Sequence, residues 1–274
     1  LIEPAWSADH IASILVQFDE PLGLEGRAGY YDKAGALTDM IQSHLLQVMA
    51  FVTMEPPASL DERDLRDATG AALRATAVWG DDPVASSRRA RYTAGTVDGR
   101  DFPSYVDEPG VDPARGTETL AEMTVEVRNA RWQGVPITLR SGKALGHAEA
   151  KVEVRFHPVR HLPRGFTGDP GPTVLSFSLG PDSISLGLNV NGEADPLELE
   201  RATLEAHLGE GSLKAYAEVL SGILDGDAML SVRGDAAVDC WHIVQPVIDA
   251  WRDGRVPMDE YAAGTAGPAD WPTS

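Results

Sequence analysis

A histidine and two carboxylates near the start of the chain, His44, Glu20 and Asp39, are the side chains best suited by type to move a proton or hold a hydroxyl. An imidazole ionises at about 6.5, so it can accept a proton near neutral pH. Carboxylates are acceptors for alcohol hydroxyls. The residues that must carry them read as one helix. Helix formers run unbroken from Ala34 to Met54, and Pro56-Pro57 stop them. Leu37, Ile41, Leu45, Val48 and Val52 recur as a stripe for burial on a core. His44 lies beside that stripe. Asp39, five residues earlier, falls roughly 140° around an α-helix turning about 100° per residue, so the two border the buried face from different sides. On these residues alone, a histidine satisfied by a backbone carbonyl and a solvated aspartate explain the pattern better than a catalytic base does.

The longer pattern separates those readings. Arg27-Ala28-Gly29-Tyr30-Tyr31-Asp32, then Gly35, then Asp39-Met40-Ile41-Gln42-Ser43-His44, closely resembles the glucose-6-phosphate dehydrogenase family. Arg131-Trp132-Gln133-Gly134-Val135-Pro136 and Arg140-Ser141-Gly142-Lys143-Ala144-Leu145 resemble its second signature. Met54-Glu55-Pro56-Pro57, Arg91-Tyr92, Gly116-Thr117-Glu118-Thr119 and Glu260-Tyr261 to Gly267-Pro268 follow in matching order, so the resemblance covers essentially the whole chain. It implies that His44 is the general base removing the C1-hydroxyl proton of the sugar while hydride leaves for NADP. It also implies that Glu20 and Asp39 hold sugar hydroxyls and that Lys143 reaches the substrate, glucose 6-phosphate, in a reaction of the pentose phosphate pathway.

Members of that family are roughly twice this long and begin with a dinucleotide-binding domain. This chain shows no G-x-G-x-x-G turn between a strand and a helix. Gly23, Gly26 and Gly29 have three-residue spacing but follow no continuous apolar strand. The family's aspartate-histidine-tyrosine motif for the sugar phosphate is also missing. The chain is therefore expected to be the carboxyl-terminal, substrate and dimerisation domain over residues 1–274, inactive alone, with NADP bound mainly by a domain that it lacks. A non-catalytic binding or assembly module derived from the same family is the alternative. Ala148 stands where the family places a second cation, with His147 or Lys151 as candidate substitutes; Gly180-Pro181 and Glu218 are further departures.

Composition narrows the classes. The 274 residues suffice for one large domain or two small ones, and 43% hydrophobic content is ordinary for a globular core. A formal charge of −19 repels nucleic acid and anionic membranes. It also repels a sugar phosphate, so binding needs a local cation cluster, for which Arg140, Lys143 and Lys151 are candidates. No run of eighteen apolar residues is present, which argues against a membrane-spanning helix in these residues. A single cysteine, Cys240, excludes an intrachain disulfide and fits a cytoplasmic protein. The histidines show no metal-ligand spacing.

The element order predicts an α+β fold, a large mostly antiparallel sheet with helices packed on one face. Ile11 to Phe18 alternates as a strand. A second helix is predicted from Leu60 to about Val78, and a short helix or turn from Asp81 to near Arg91. Tyr92 to Gly116 reads as a long loop. Strands are predicted at Met123–Val127, Val135–Arg140 and Val152–Phe156, then a hairpin of Leu175–Leu179 and Ile184–Leu188, with an edge strand at Thr203–Ala206. Helices near Leu213–Leu224 and Ala236–Trp251 close the chain. The resemblance implies a homodimer or tetramer through the sheet, consistent with apolar residues on both sides of strands such as Leu175-Ser176-Phe177.

Overall fold

Strand β1 (Ile11–Asp19) is the axis of the molecule, and its alternating apolar residues explain its place: Ile14 and Val16 are buried against helices. The computed structural model describes residues 2–168, 170–180, 182–209 and 231–271. The predicted helix at 213–224 and the departure at Glu218 lie outside the described residues.

After β1 the chain forms α1 (Ala28–Ala36), a π-wound segment (Leu37–Leu45) and α2 (Leu46–Thr53). This corrects the expectation of one unbroken helix from Ala34. Gly35 sits at φ +69°, a left-handed conformation that interrupts the rod, and the turns after it bond i→i+5, as in Leu46 N–H to the Ile41 carbonyl. Met54 turns extended and ends the helix two residues before Pro56. Helix α3 (Glu62–Arg74) opens with acidic residues at its positive end.

The chain then turns to strand sooner than expected. Thr76–Val78, predicted as the helix end, is β2, and Ser87–Thr93, predicted as helix or turn, is β3. In β3 the buried positions are Ser87, Ala90 and Tyr92, and the arginines between them hide the alternation. The predicted loop contains a small hairpin, β4 (Gly95–Val97) with β5 (Arg100–Phe102). Next come β6 (Leu120–Val127), β7 (Ile137–Gly142), β8 (Glu149–Phe156), β9 (Val174–Leu179), β10 (Asp182–Asn191) and β11 (Leu199–His207). Helix α4 (Gly234–Arg252) and a strand that sequence reasoning missed, β12 (Met258–Ala262), end the described chain.

Ten strands form one sheet in the order β11-β10-β9-β8-β1-β7-β6-β3-β12, with β2 beside β6. Pairing is antiparallel except β1 with β7 and β12 with β3. The expected α+β class, mostly antiparallel with helices on one face, is what the chain adopts. The main core lies between that face and the helices, where Ile41, Leu45, Met49, Val125, Leu139 and Val247 are buried together. A second cluster at one end of the sheet gathers Tyr31, Tyr92, Tyr105, Leu120, Leu145 and Tyr261.

One expectation about the sheet fails. Registers place Leu175, Phe177, Ile184 and Leu186 on the same side, and Ser176, Ser178, Ser183 and Ser185 on the other. Val174, opposite Gly187, is the one apolar residue of this pair on the serine side.

Candidate active site at the end of the central strands

Strands β1 and β7 run parallel, so their carboxyl ends emerge together, and Glu20 and Lys143 are the residues just beyond them. Lys143 Nζ lies 2.7 Å from Glu20 Oε2. The Lys143 side chain is 4% exposed and that of Glu20 25%, so the ammonium is withdrawn while the carboxylate faces an opening. The ammonium also sits 5.2 Å from the centre of the Tyr31 ring, a cation–π contact that partly repays its desolvation.

The backbone of Lys143 is pinned from two sides. Its N–H donates to the Thr119 carbonyl at 2.9 Å, and Tyr261 Oη donates to the Lys143 carbonyl at 2.6 Å. Thr119 Oγ1 lies 2.9 Å from the same tyrosine oxygen. A lysine whose main chain cannot shift presents its charge at a fixed point.

Asp39 and His44 lie on the π-wound segment that follows α1. The geometry expected of an α-helix is corrected here: i→i+5 winding takes five residues through little more than one turn, so both side chains fall on the same side of the segment. His44 is exposed and Asp39 half-buried. The Asp39 charge, then its hydrogen bond, raises the pKa of the Tyr30 hydroxyl, and that charge also reaches the fully buried Tyr31 hydroxyl. Tyr31 thus sits between the lysine and the aspartate. Its hydroxyl is buried without a hydrogen-bond partner, and desolvation drives its pKa well up.

The signature residues around these groups are largely structural. Asp32 accepts from Tyr105 Oη at 2.8 Å and from the Asp112 N–H at 3.0 Å, and pairs with Arg115 at 3.1 Å. Trp132 is fully buried and donates from Nε1 to the Thr53 carbonyl at 2.7 Å, tying the second signature to the end of α2.

The other proposed cations are committed elsewhere. Arg140 is buried against Asp19 at 3.0 Å and donates to the Ala266 carbonyl. Lys151 pairs with Glu149 at 2.7 Å and with Glu153 at 3.4 Å. Both line a separate cavity of about 210 Å³ with Asp19 and Trp271. Ala148 and His147 are exposed. Lys143 alone of the three candidate cations stands beside Glu20.

Nor do the three spaced glycines cradle a dinucleotide. A Cβ on Gly23 would come within 2.7 Å of the Phe102 ring, so its bareness serves packing; Gly26 adopts φ +76° in an open turn. The residues after β1 do not fit a nicotinamide cofactor's phosphates. Sequence reasoning missed one group at the site. Glu118 is buried, its Oε1 accepts the Leu37 N–H at 3.0 Å, and desolvation pushes its pKa up to about 7.

The sheet thus carries a paired lysine and carboxylate at the carboxyl ends of its central parallel strands, and a histidine-bearing helical segment follows the first of them. A family model for the glucose-6-phosphate dehydrogenase C-terminal domain matches residues 1–273, and the chain belongs to that family. It is 38% identical over 275 residues to the glucose-6-phosphate 1-dehydrogenase of Gluconobacter oxydans, covering 98% of this chain and 55% of the relative. The enzyme of Treponema pallidum is 34% identical, with 98% and 54% covered. A solved glucose-6-phosphate dehydrogenase in complex with its substrate glucose-6-phosphate superposes with a TM-score of 0.84 at 30% identity, over 97% of this chain and 55% of that one. The enzyme from Mycobacterium avium gives 0.82 at 32% identity, over 97% and 54%. The chain spans about half the length of the curated relatives it matches.

Proposed function

We propose that this chain is the substrate-binding half of an NADP-dependent glucose-6-phosphate dehydrogenase, in which His44 removes the C1-hydroxyl proton as hydride leaves C1, giving the lactone. The observation that carries the reading is the convergence at one end of the sheet. The Lys143–Glu20 pair at 2.7 Å, the Tyr31 ring beside it, and Asp39, whose charge reaches Tyr31, come together from three separate stretches of chain, and His44 lies on the same π-wound segment as Asp39. Glu20 and Asp39 accept hydrogen bonds from sugar hydroxyls, Lys143 donates one, and the exposed imidazole takes the proton. Fixing these groups before the sugar arrives lowers the entropy cost of alignment.

The hydride acceptor is held outside these 274 residues, and the grip on the phosphate lies there too, because the −19 charge here opposes an anion and Lys143 is one cation. The enzyme works in the cytoplasm, in the pentose phosphate pathway, as a homodimer or tetramer joined through the sheet.

The test is kinetic. These residues alone should give no NADP reduction with glucose 6-phosphate. In the enzyme completed by its cofactor-binding half, His44→Asn should lower kcat by about 10²–10⁴-fold, with KM for the sugar phosphate little changed. Full turnover in that variant would eliminate the assignment of the base. A chain that neither reacts nor binds sugar phosphate when completed would be a non-catalytic assembly module.

A further inference from the structure

Glu118 occupies the junction between the two halves of the site. Residues 117–119 are stitched to the helical side by three bonds: Thr117 Oγ1 donates to the Asp32 carbonyl at 2.7 Å, the Ala36 N–H to the Glu118 carbonyl at 3.4 Å, and the Leu37 N–H to Glu118 Oε1 at 3.0 Å. Thr119, the next residue, is stitched to the strand side. Its N–H donates to the Ala90 carbonyl at 2.9 Å, its hydroxyl accepts the Tyr92 N–H at 3.0 Å, and its carbonyl accepts the Lys143 N–H at 2.9 Å. The carboxylate also fills the space a side chain on Gly35 would need, with Oε1 2.3 Å from where that Cβ would lie.

Leu37 is the first residue of the π-wound segment, so the bond from its amide is the last fixed point before Asp39 and His44. We propose that Glu118 is a positioning residue of the sugar site, setting the rotation of the segment that bears Asp39 and His44 against the Glu20–Lys143 pair. The proposal deepens the dehydrogenase reading and rests on it for its kinetic consequence, but its geometric part stands without it.

Electrostatics at the junction make the clamp sensitive to pH. Burial favours the neutral acid, while the Leu37 amide, Glu118's own amide and the Arg89 guanidinium favour the carboxylate. The Tyr31 and Tyr105 hydroxyls lie within its field and remain neutral, their pKa values raised mainly by burial. The ionised form holds the Leu37 amide by a charge-assisted bond at the positive end of the helical segment; protonation weakens it.

The test uses the 274-residue chain labelled with ¹⁵N, and Glu118→Gln, which keeps the size and an acceptor oxygen but loses the charge. In the wild type the Leu37 amide resonance should titrate with a midpoint near 7, and the Asp39 amide should follow it. Both should lose that transition in the variant. A purely structural carboxylate would leave Asp39 unmoved, and a Leu37 amide that does not titrate would equally overturn the proposal. In the completed enzyme, Glu118→Gln should lower kcat roughly tenfold with KM within about twofold, because the clamp aligns the base and not the phosphate. If His44→Asn proves fully active while the amide titrations behave as described, the base assignment falls and the role of Glu118 in setting the segment survives.

Discussion

Tyr31 is the residue whose environment is least satisfied. Its ring contributes to the Lys143 contact, yet its hydroxyl is buried beside Glu118 and Asp39 with no partner. A buried donor without an acceptor costs about 1–3 kcal/mol, whereas the ring earns its place by packing and by its π face. Tyr31→Phe should therefore hold or raise stability, by up to about 1 kcal/mol, in urea unfolding at neutral pH. A loss of that size would mean that the hydroxyl has a partner, such as an ordered water. His44, Glu20, Asp39 and Lys143 could be picked out in the sequence because the signatures around them are long and run in order. Glu118 could not. Within Gly116-Thr117-Glu118-Thr119 it is one of 42 acidic residues, and nothing local says that it will be buried against an amide 81 positions away.

At the scale of the element, the π-wound segment and its entry are the decisive features. Gly35 needs its hydrogen for two reasons, the left-handed backbone and the Glu118 carboxylate where a Cβ would go. Gly134 has φ +87° with nothing within 4 Å. Gly134→Ala should cost about 1 kcal/mol from backbone strain alone, and Gly35→Ala at least twice that, measured by chemical denaturation. Equal costs would show that the carboxylate moves aside freely. Glu118 also gives this region a pH dependence of definite sign. Its pKa is raised from 4.5 to about 7 by desolvation, so the folded state binds the proton more tightly than the unfolded one. Its contribution is therefore fully present below about pH 4.5 and lost as pH rises through about 7, a swing of about 3 kcal/mol. Glu118→Gln lacks that swing, so the stability difference between the two proteins should shift toward the variant by about that amount from pH 4.5 to 8. No shift would indicate a carboxyl hydrated in the folded state. The element boundaries explain what pattern reading can reach. Apolar spacing at Leu37, Ile41 and Leu45 suits α and π winding alike, so the change of pitch was invisible. The hairpin of β9 and β10 was plain because Ser alternates with Leu, Phe and Ile. Strands β3 and β12 were not, because arginines occupy the half-exposed positions of one and the other is five residues of mixed character.

For the whole molecule, the sheet offers two unlike faces. One carries the helices; the other, across β9 and β10, presents Ser176, Ser178, Ser183 and Ser185. Small side chains let two sheets approach closely, which suits the proposed homodimer better than the apolar-on-both-sides pattern that the sequence suggested. Ser185→Arg places a bulky cation in the middle of this face and should convert dimer to monomer in sedimentation velocity, with the far-UV circular dichroism unchanged. A variant that stays dimeric would move the interface elsewhere. Fold class was readable at this scale because alternation over many strands averages out local errors, whereas the parallel pairing of β1 with β7 depends on partners distant in the chain.

That distance has a consequence for synthesis. Glu20 and Lys143 are 123 positions apart, yet they meet at 2.7 Å because β7 docks alongside β1 only after everything between them has been made. Bringing such remote stretches together is slow and entropically costly. A nascent chain halted before Gly142 would already hold the imidazole on its helix but lack the ammonium. Completion of this seam is thus the step at which an emerging polypeptide first carries every residue of the proposed sugar site.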